Sequence, residues 1–203
     1  KIQEKGYNET NSQKFRDLWC DFCMTFGEAS KATKAFQLSL DEQPYSIPHW
    51  NGMAKCYLAQ MQIEQAHEAV DFALAIDENN LEALEVKGFC YLQNENYEEA
   101  LAIYQQLLPQ SQAPSRIYAF ITKCYLDLER AQEAKDTCLE WLQKCHQLTG
   151  FEKSEIYSYI SLCCFNLQQP EEGMKYIDAA LDLEPAFRGA ILQKGMLHLQ
   201  LNE

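Results

Sequence analysis

Residues 47–80 read IPHWNGMAKCYLAQMQIEQAHEAVDFALAIDENN, and the order of bulky and small side chains in this stretch decides the fold. Trp50 is followed by Met53-Ala54 and Tyr57, and then by Ala66, Val70, Ala73 and Leu74. Apolar positions three and four apart share one face of a helix. Two such runs joined by a short polar segment make a helical hairpin, whose helices approach closely only where side chains are small, here Ala54 against Ala66. Ala73, a second small residue, lets the second helix receive the first helix of a following hairpin. The landmarks return about 34 residues later as Leu84, Gly88, Tyr91, Tyr97, Ala100, Tyr104 and Leu107.

The same period sets frames at 13–46, 47–80, 81–114 and 115–148, then 154–187 after a short insertion. A half-unit over 188–203 follows, and a polar arm over 1–12 precedes. Unit 13–46 keeps Ala32, Phe36, Leu40 and Pro44; unit 115–148 has Tyr118, Ile121, Thr122, Tyr125, Ala131, Ala134 and Trp141. Unit 154–187 has Tyr157, Ile160, Ser161, Gly173, Ile177, Ala180 and Leu181, and Gly195 takes the small-residue slot of the last half-unit. This pattern resembles the tetratricopeptide repeat (TPR). The resemblance implies an all-α, right-handed superhelical solenoid of antiparallel helix pairs, in which stacking buries a continuous core that no single hairpin could bury.

The punctuation agrees with helices. Gly 8 and Pro 6 are too few for the many turns of an all-β fold. Pro44 and Pro185 end second helices, Pro170 suits a first turn, and Pro109 shortens a helix ahead of a looser connection. The second helix of the fourth unit is expected to run through Trp141 to about Leu148, with Gly150 as its C-terminal cap. The last helix, from Arg188, carries Ile191, Leu192, Met196, Leu197, Leu199 and Leu201 with no partner after it. Arrays close with a polar outer face, so the native chain is expected to continue beyond Glu203.

Composition narrows the function classes. The 203 residues are 47% hydrophobic and 12% aromatic, ample for a core, and their net charge is −13. Nucleic-acid surfaces need clustered Lys and Arg, so such a partner is not expected. No apolar run approaches the roughly 18 residues of a membrane span, and the chain starts without a signal peptide. It reads as a soluble protein without a membrane partner.

Nine cysteines are the most conspicuous chemical feature. Trp19-Cys20-Asp21-Phe22-Cys23 has redox spacing, but it falls in a helical frame with no strand leading into it. Cys56, Cys90, Cys124 and Cys163 recur in one slot of successive units and read as small apolar packing residues. A helix-packing distance of about 10 Å between units is too long for a disulfide or a shared zinc ion. Unpaired thiols point to a reducing compartment, the cytoplasm. The histidines form no metal pair, and no Gly-rich phosphate loop or nucleophile elbow is present. The expectation is no catalytic residue, no metal and no cofactor.

The resemblance further implies that particular first-helix slots face a concave groove. Those slots hold Lys14, Asp17, Leu18 and Asp21 in the first unit, Asn51, Gly52, Lys55 and Leu58 in the second, and Glu82, Glu85, Val86 and Phe89 in the third. Arg116, Ala119, Phe120 and Lys123 follow in the fourth unit, and Glu155, Ser158, Tyr159, Leu162 and Phe165 in the fifth. The Lys-Asn-Asn-Lys-Arg set with which TPR co-chaperones clamp the Hsp70 or Hsp90 C-terminus is reproduced by no three consecutive units, so that partner is not expected. Phe89, Phe120 and Tyr159 are candidates to seat apolar side chains of a peptide or helix, with Lys55, Arg116 and Lys123 fixing its polar groups. The leading expectation is thus a non-enzymatic protein-interaction scaffold. Alternatives are a recruiting region of a larger enzyme or signalling protein, and a homo-oligomer assembled through the terminal helix.

Overall fold

The computed structural model describes Leu18, Thr25 and residues 27–202. The polar arm over 1–12, the first helix of unit 13–46 and the Cys20–Cys23 string lie outside the described residues, apart from Leu18 and Thr25. Among the described residues there are ten α-helices, one 3-10 turn and no strand. The chain forms two compact units that divide between Asn96 and Tyr97. The first contains α1 (Ala29–Glu42), α2 (Ile47–Ala59), α3 (Ile63–Ile76) and α4 (Leu81–Gln93). The second contains α5 (Tyr97–Leu107), the 3-10 turn Leu108–Gln110, α6 (Pro114–Asp127), α7 (Ala131–Lys144), α8 (Gly150–Asn166), α9 (Pro170–Leu183) and α10 (Arg188–Asn202).

In the first unit, Ala32, Ala35, Phe36 and Leu40 of α1 pack on Met53 and Cys56 of α2. Gly52 makes that approach possible, because a Cβ there would fall 2.3 Å from the Phe36 ring. Ala54 and Ala66 are both fully buried in the cluster that joins α2, α3 and α4, as their small size predicts. Trp50 stacks on Phe72 at 4.6 Å and donates its indole N–H to the Pro44 carbonyl. Asn80 caps α4 by accepting from the Ala83 amide.

The second unit is built around Tyr118, Trp141, Ile156 and Ile160, with the Tyr118 and Trp141 rings parallel at 6.1 Å. Pro114 and Pro170 both occupy first turns, where their missing N–H costs nothing. Gly173 lets α9 settle between α8 and α10, since a Cβ there would meet Cys164 at 3.2 Å and Leu197 at 3.1 Å.

Two expectations are corrected here. The helix α7 stops at Lys144, and Gly150 begins α8 instead of capping α7. The reason is Thr149, whose hydroxyl accepts from the Glu152 amide while the Glu152 carboxylate accepts from the Thr149 amide, a reciprocal cap that fixes a helix start. Gly195, expected at a close helix contact, faces open space among the described residues. Around it Ile191, Leu192 and Leu199 are more than half exposed, whereas Ala190 and Leu197 are buried against Ile177 and Ala180 of α9.

The hairpin turns share one conformation. Met61, Glu95, Glu129 and Gln168 all have φ between 58° and 61°. In each turn the following amide donates to the carbonyl five residues back, as Gln62 to Tyr57, Asn96 to Tyr91, Arg130 to Tyr125 and Gln169 to Cys164. This is the Schellman arrangement, in which the left-handed position is ordinarily glycine.

Cys56, Cys90, Cys124, Cys138, Cys163 and Cys164 are free thiols with no accessible surface. Burial pushes the Cys90 thiol up to about 11 and those of Cys124, Cys138 and Cys163 up to about 12. A thiolate is the reactive form. At pH 8 these six are therefore expected to react with iodoacetamide at least about 100-fold more slowly in the folded chain than in denaturant, while half-buried Cys145 reacts first among the described cysteines. Site-resolved mass spectrometry measures this, and rapid native labelling of Cys124 or Cys163 would contradict the packing role.

Candidate functional site

The candidate slots of the first unit meet across α2 and α4. Asn51 is 1% exposed, and its amide donates to the Asn80 Oδ1 at 3.0 Å and the Glu82 Oε2 at 2.9 Å. Lys55, one turn further along α2, is exposed and ion-paired with the other Glu82 oxygen. Burial raises the Glu82 carboxyl, but the hydrogen bonds from Lys55 and Asn51 outweigh it and hold the group below the usual carboxylate range. Lys55 is thus already engaged by the protein itself. Phe89 is half-buried further along α4. Asn51 and Glu82 are hydrogen-bonded to each other but had no individual role in the sequence reading; the repeat slots they occupy were the only signal.

In the second unit, α6 carries Arg116, Phe120 and Lys123, and α8 carries Tyr159. Arg116 and Lys123 are exposed at the two ends of the set. Phe120 is half-buried and stacks on the fully buried Tyr104 at 4.7 Å with 19° between the ring planes, so one ring face is fixed by the core. Tyr159 is half-buried against the Tyr118–Trp141 cluster. Burial, with Glu155 and Asp127 nearby, pushes its phenol up to about 12, so it stays protonated and able to donate at neutral pH. Ser158 is held aside, its hydroxyl donating to Gln193 at 2.7 Å.

Among the described residues no group of three or more His, Cys, Asp or Glu side chains is placed to hold a metal ion. No helix among them is long and apolar enough to cross a membrane.

Comparison with known proteins agrees with the architecture. Residues 62–124 match a tetratricopeptide repeat family model. A general transcriptional corepressor of Dictyostelium discoideum, trfA, is 28% identical over 153 residues, which is 70% of this chain and 11% of the corepressor. The chain thus spans about a tenth of the length of that relative. Among solved structures, the MamA fragment of Desulfovibrio magneticus RS-1 superposes with a TM-score of 0.78 at 14% identity, covering 87% of this chain and 97% of that one. YrrB, described as a TPR protein with an unusual peptide-binding site, superposes at 0.74 with 14% identity, covering 88% of this chain and 89% of its own. At such identities the likeness is one of fold, and that fold is the all-α TPR solenoid.

Proposed function

We propose that this chain, a tetratricopeptide-repeat protein, is a non-enzymatic scaffold that binds a peptide segment or a partner helix on its first-helix faces. The observation that carries this reading is that α6 and α8 of the second unit carry half-buried Phe120 and Tyr159 together with exposed Arg116 and Lys123. Lys55 and Phe89 supply the corresponding groups in the first. Aromatic anchors bounded by polar groups are the usual make-up of an interface centre. YrrB supports it as a neighbour of the same fold with a peptide-binding site. The buried free thiols support a reducing compartment, and we assign the chain to the cytoplasm.

A second reading is favoured by the corepressor match. The similarity covers 70% of this chain but 11% of that protein, the proportion expected of a recruiting region within a much longer polypeptide.

The test is affinity capture on the wild-type chain and on an Arg116→Glu/Lys123→Glu variant, both side chains being exposed and so unlike core positions in their effect on folding. Partners held by the wild type are expected to fall at least about tenfold on the variant, with an unchanged melting curve. Equal recovery on both baits would remove the second unit's face as a binding surface.

A further inference from the structure

Along α3, Glu64, Glu68, Phe72 and Ile76 follow one another at four-residue steps, and all four are exposed. Residues four apart on a helix lie side by side, so the set forms one stripe of two carboxylates leading to two apolar side chains. Phe72 is 55% exposed although Trp50 covers one face of its ring at 4.6 Å, so the opposite face is open to solvent. The Trp50 indole is fixed by its bond to the Pro44 carbonyl, and Tyr45, next in the chain, is 82% exposed. Neither glutamate has a hydrogen bond or ion pair among the described residues. Residues 35–86 hold nine Asp and Glu against one Lys, a net of −8 of the chain's −13, and no Lys or Arg lies within α3. The one lysine, Lys55, is already paired with Glu82.

We propose that this stripe is a second docking surface, separate from the first-helix faces, and that it takes a basic segment of a partner protein. An arginine of that segment stacks on the open face of Phe72 and pairs with Glu68, a second basic residue reaches Glu64, and an apolar residue packs against Ile76. A guanidinium lies flat on an aromatic ring, within about 6 Å of its centre, and keeps the N–H groups at its rim free for a carboxylate. Glu68 stands one turn from Phe72, within reach of such a group. Aromatic and aliphatic surface rimmed by polar groups marks a contact with another molecule, and the charge selects its class. Nucleic acid and anionic lipid are repelled by a region with one lysine among nine acids. A second copy docked about a two-fold axis would bring the same glutamates against each other, a like-charge contact. A basic segment meets both the aromatic face and the unpaired carboxylates.

The experiment selects a random peptide library on the whole chain and rescreens the retained peptides on Phe72→Ala and on Glu68→Lys. Both side chains are exposed, so both variants are expected to keep the wild-type melting curve, and Glu68→Lys decides alone if Phe72→Ala does not fold. One class of peptides is expected to carry arginine at a fixed position and to bind each variant at least about tenfold more weakly than the wild type. Changing that arginine to glutamine is expected to cost the same factor, and binding of this class weakens as salt is raised. If every retained peptide binds both variants as it binds the wild type, or if no peptide is retained, the surface is overturned. Peptides of the first kind that are lost on Arg116→Glu/Lys123→Glu would leave the first-helix faces standing without it. Peptides that depend on Phe72 but contain no basic residue overturn the class of partner. Sedimentation showing a wild-type dimer that Phe72→Ala dissociates would give the stripe to a second copy and overturn the proposal as well.

Discussion

Raising the pH from 8 to 10 is expected to remove about 5 kcal/mol of folding stability, most of it from the second unit. Cys90, Cys124, Cys138 and Cys163 have no accessible surface, and burial raises their thiols from 9.0 to about 11 or 12. The sign follows from proton binding. Between the two values the folded chain keeps a proton that the unfolded chain has released, so rising pH favours the unfolded state. The loss begins near pH 9 and continues until the folded thiols titrate. At pH 10 the solution is about one unit past the unfolded value of each thiol, on the order of 1 kcal/mol apiece, and the four together make up the loss. That is a large share of the 5–15 kcal/mol typical of whole domains. Three of the four thiols lie in the second unit. Urea unfolding at pH 7, 8, 9 and 10 measures the effect. A midpoint that stays constant to pH 10 would show that these thiols ionise without opening the fold. Cys124→Ala/Cys163→Ala is expected to flatten the profile even if it lowers stability at neutral pH.

Replacing Met61, Glu95, Glu129 and Gln168 together by glycine is expected to stabilise the protein by about 2–4 kcal/mol. Each residue sits at positive φ, where an L side chain crowds the following carbonyl at a cost of about 1–2 kcal/mol. Glycine removes the crowding and returns roughly half of the gain through the greater freedom of the unfolded chain. All four side chains are exposed, so little packing is lost. The turns are separated along the chain, and distant changes add. The expected result is a higher denaturant midpoint at constant slope. No shift, or a lower midpoint, would mean that the exposed side chains contribute more than the backbone strain costs.

The sequence carried the helix pairs because their signals are redundant. The 34-residue recurrence, the small pairs such as Ala54 and Ala66, and the prolines at helix starts all state the same geometry. Boundaries decided by a single competing signal were less legible. Gly150 can end one helix or open the next, and only the reciprocal bonding of Thr149 and Glu152 chooses. Gly195 looked like a contact because small residues elsewhere in the pattern are contacts, but a contact needs a second surface, and the described residues provide none there. At the candidate site, the slots named the outward-facing residues but not their pairings. Lys55 with Glu82, Asn51 with Glu82 and Phe120 with Tyr104 depend on distances across a hairpin or between hairpins, which a one-dimensional pattern leaves open.

The two indoles described here stand in unlike surroundings, one in each compact unit. Trp141 is 1% exposed, and its N–H has no hydrogen-bond partner among the described residues, so it senses a nearly solvent-free, apolar medium. Trp50 is half-buried, stacked on Phe72 and hydrogen-bonded to a carbonyl. With Trp19 replaced by Phe, the blue edge of the emission spectrum belongs to the second unit and the red edge to the first. The chain thus contains two built-in optical reporters, from which the order in which its halves come apart can be read without any attached dye.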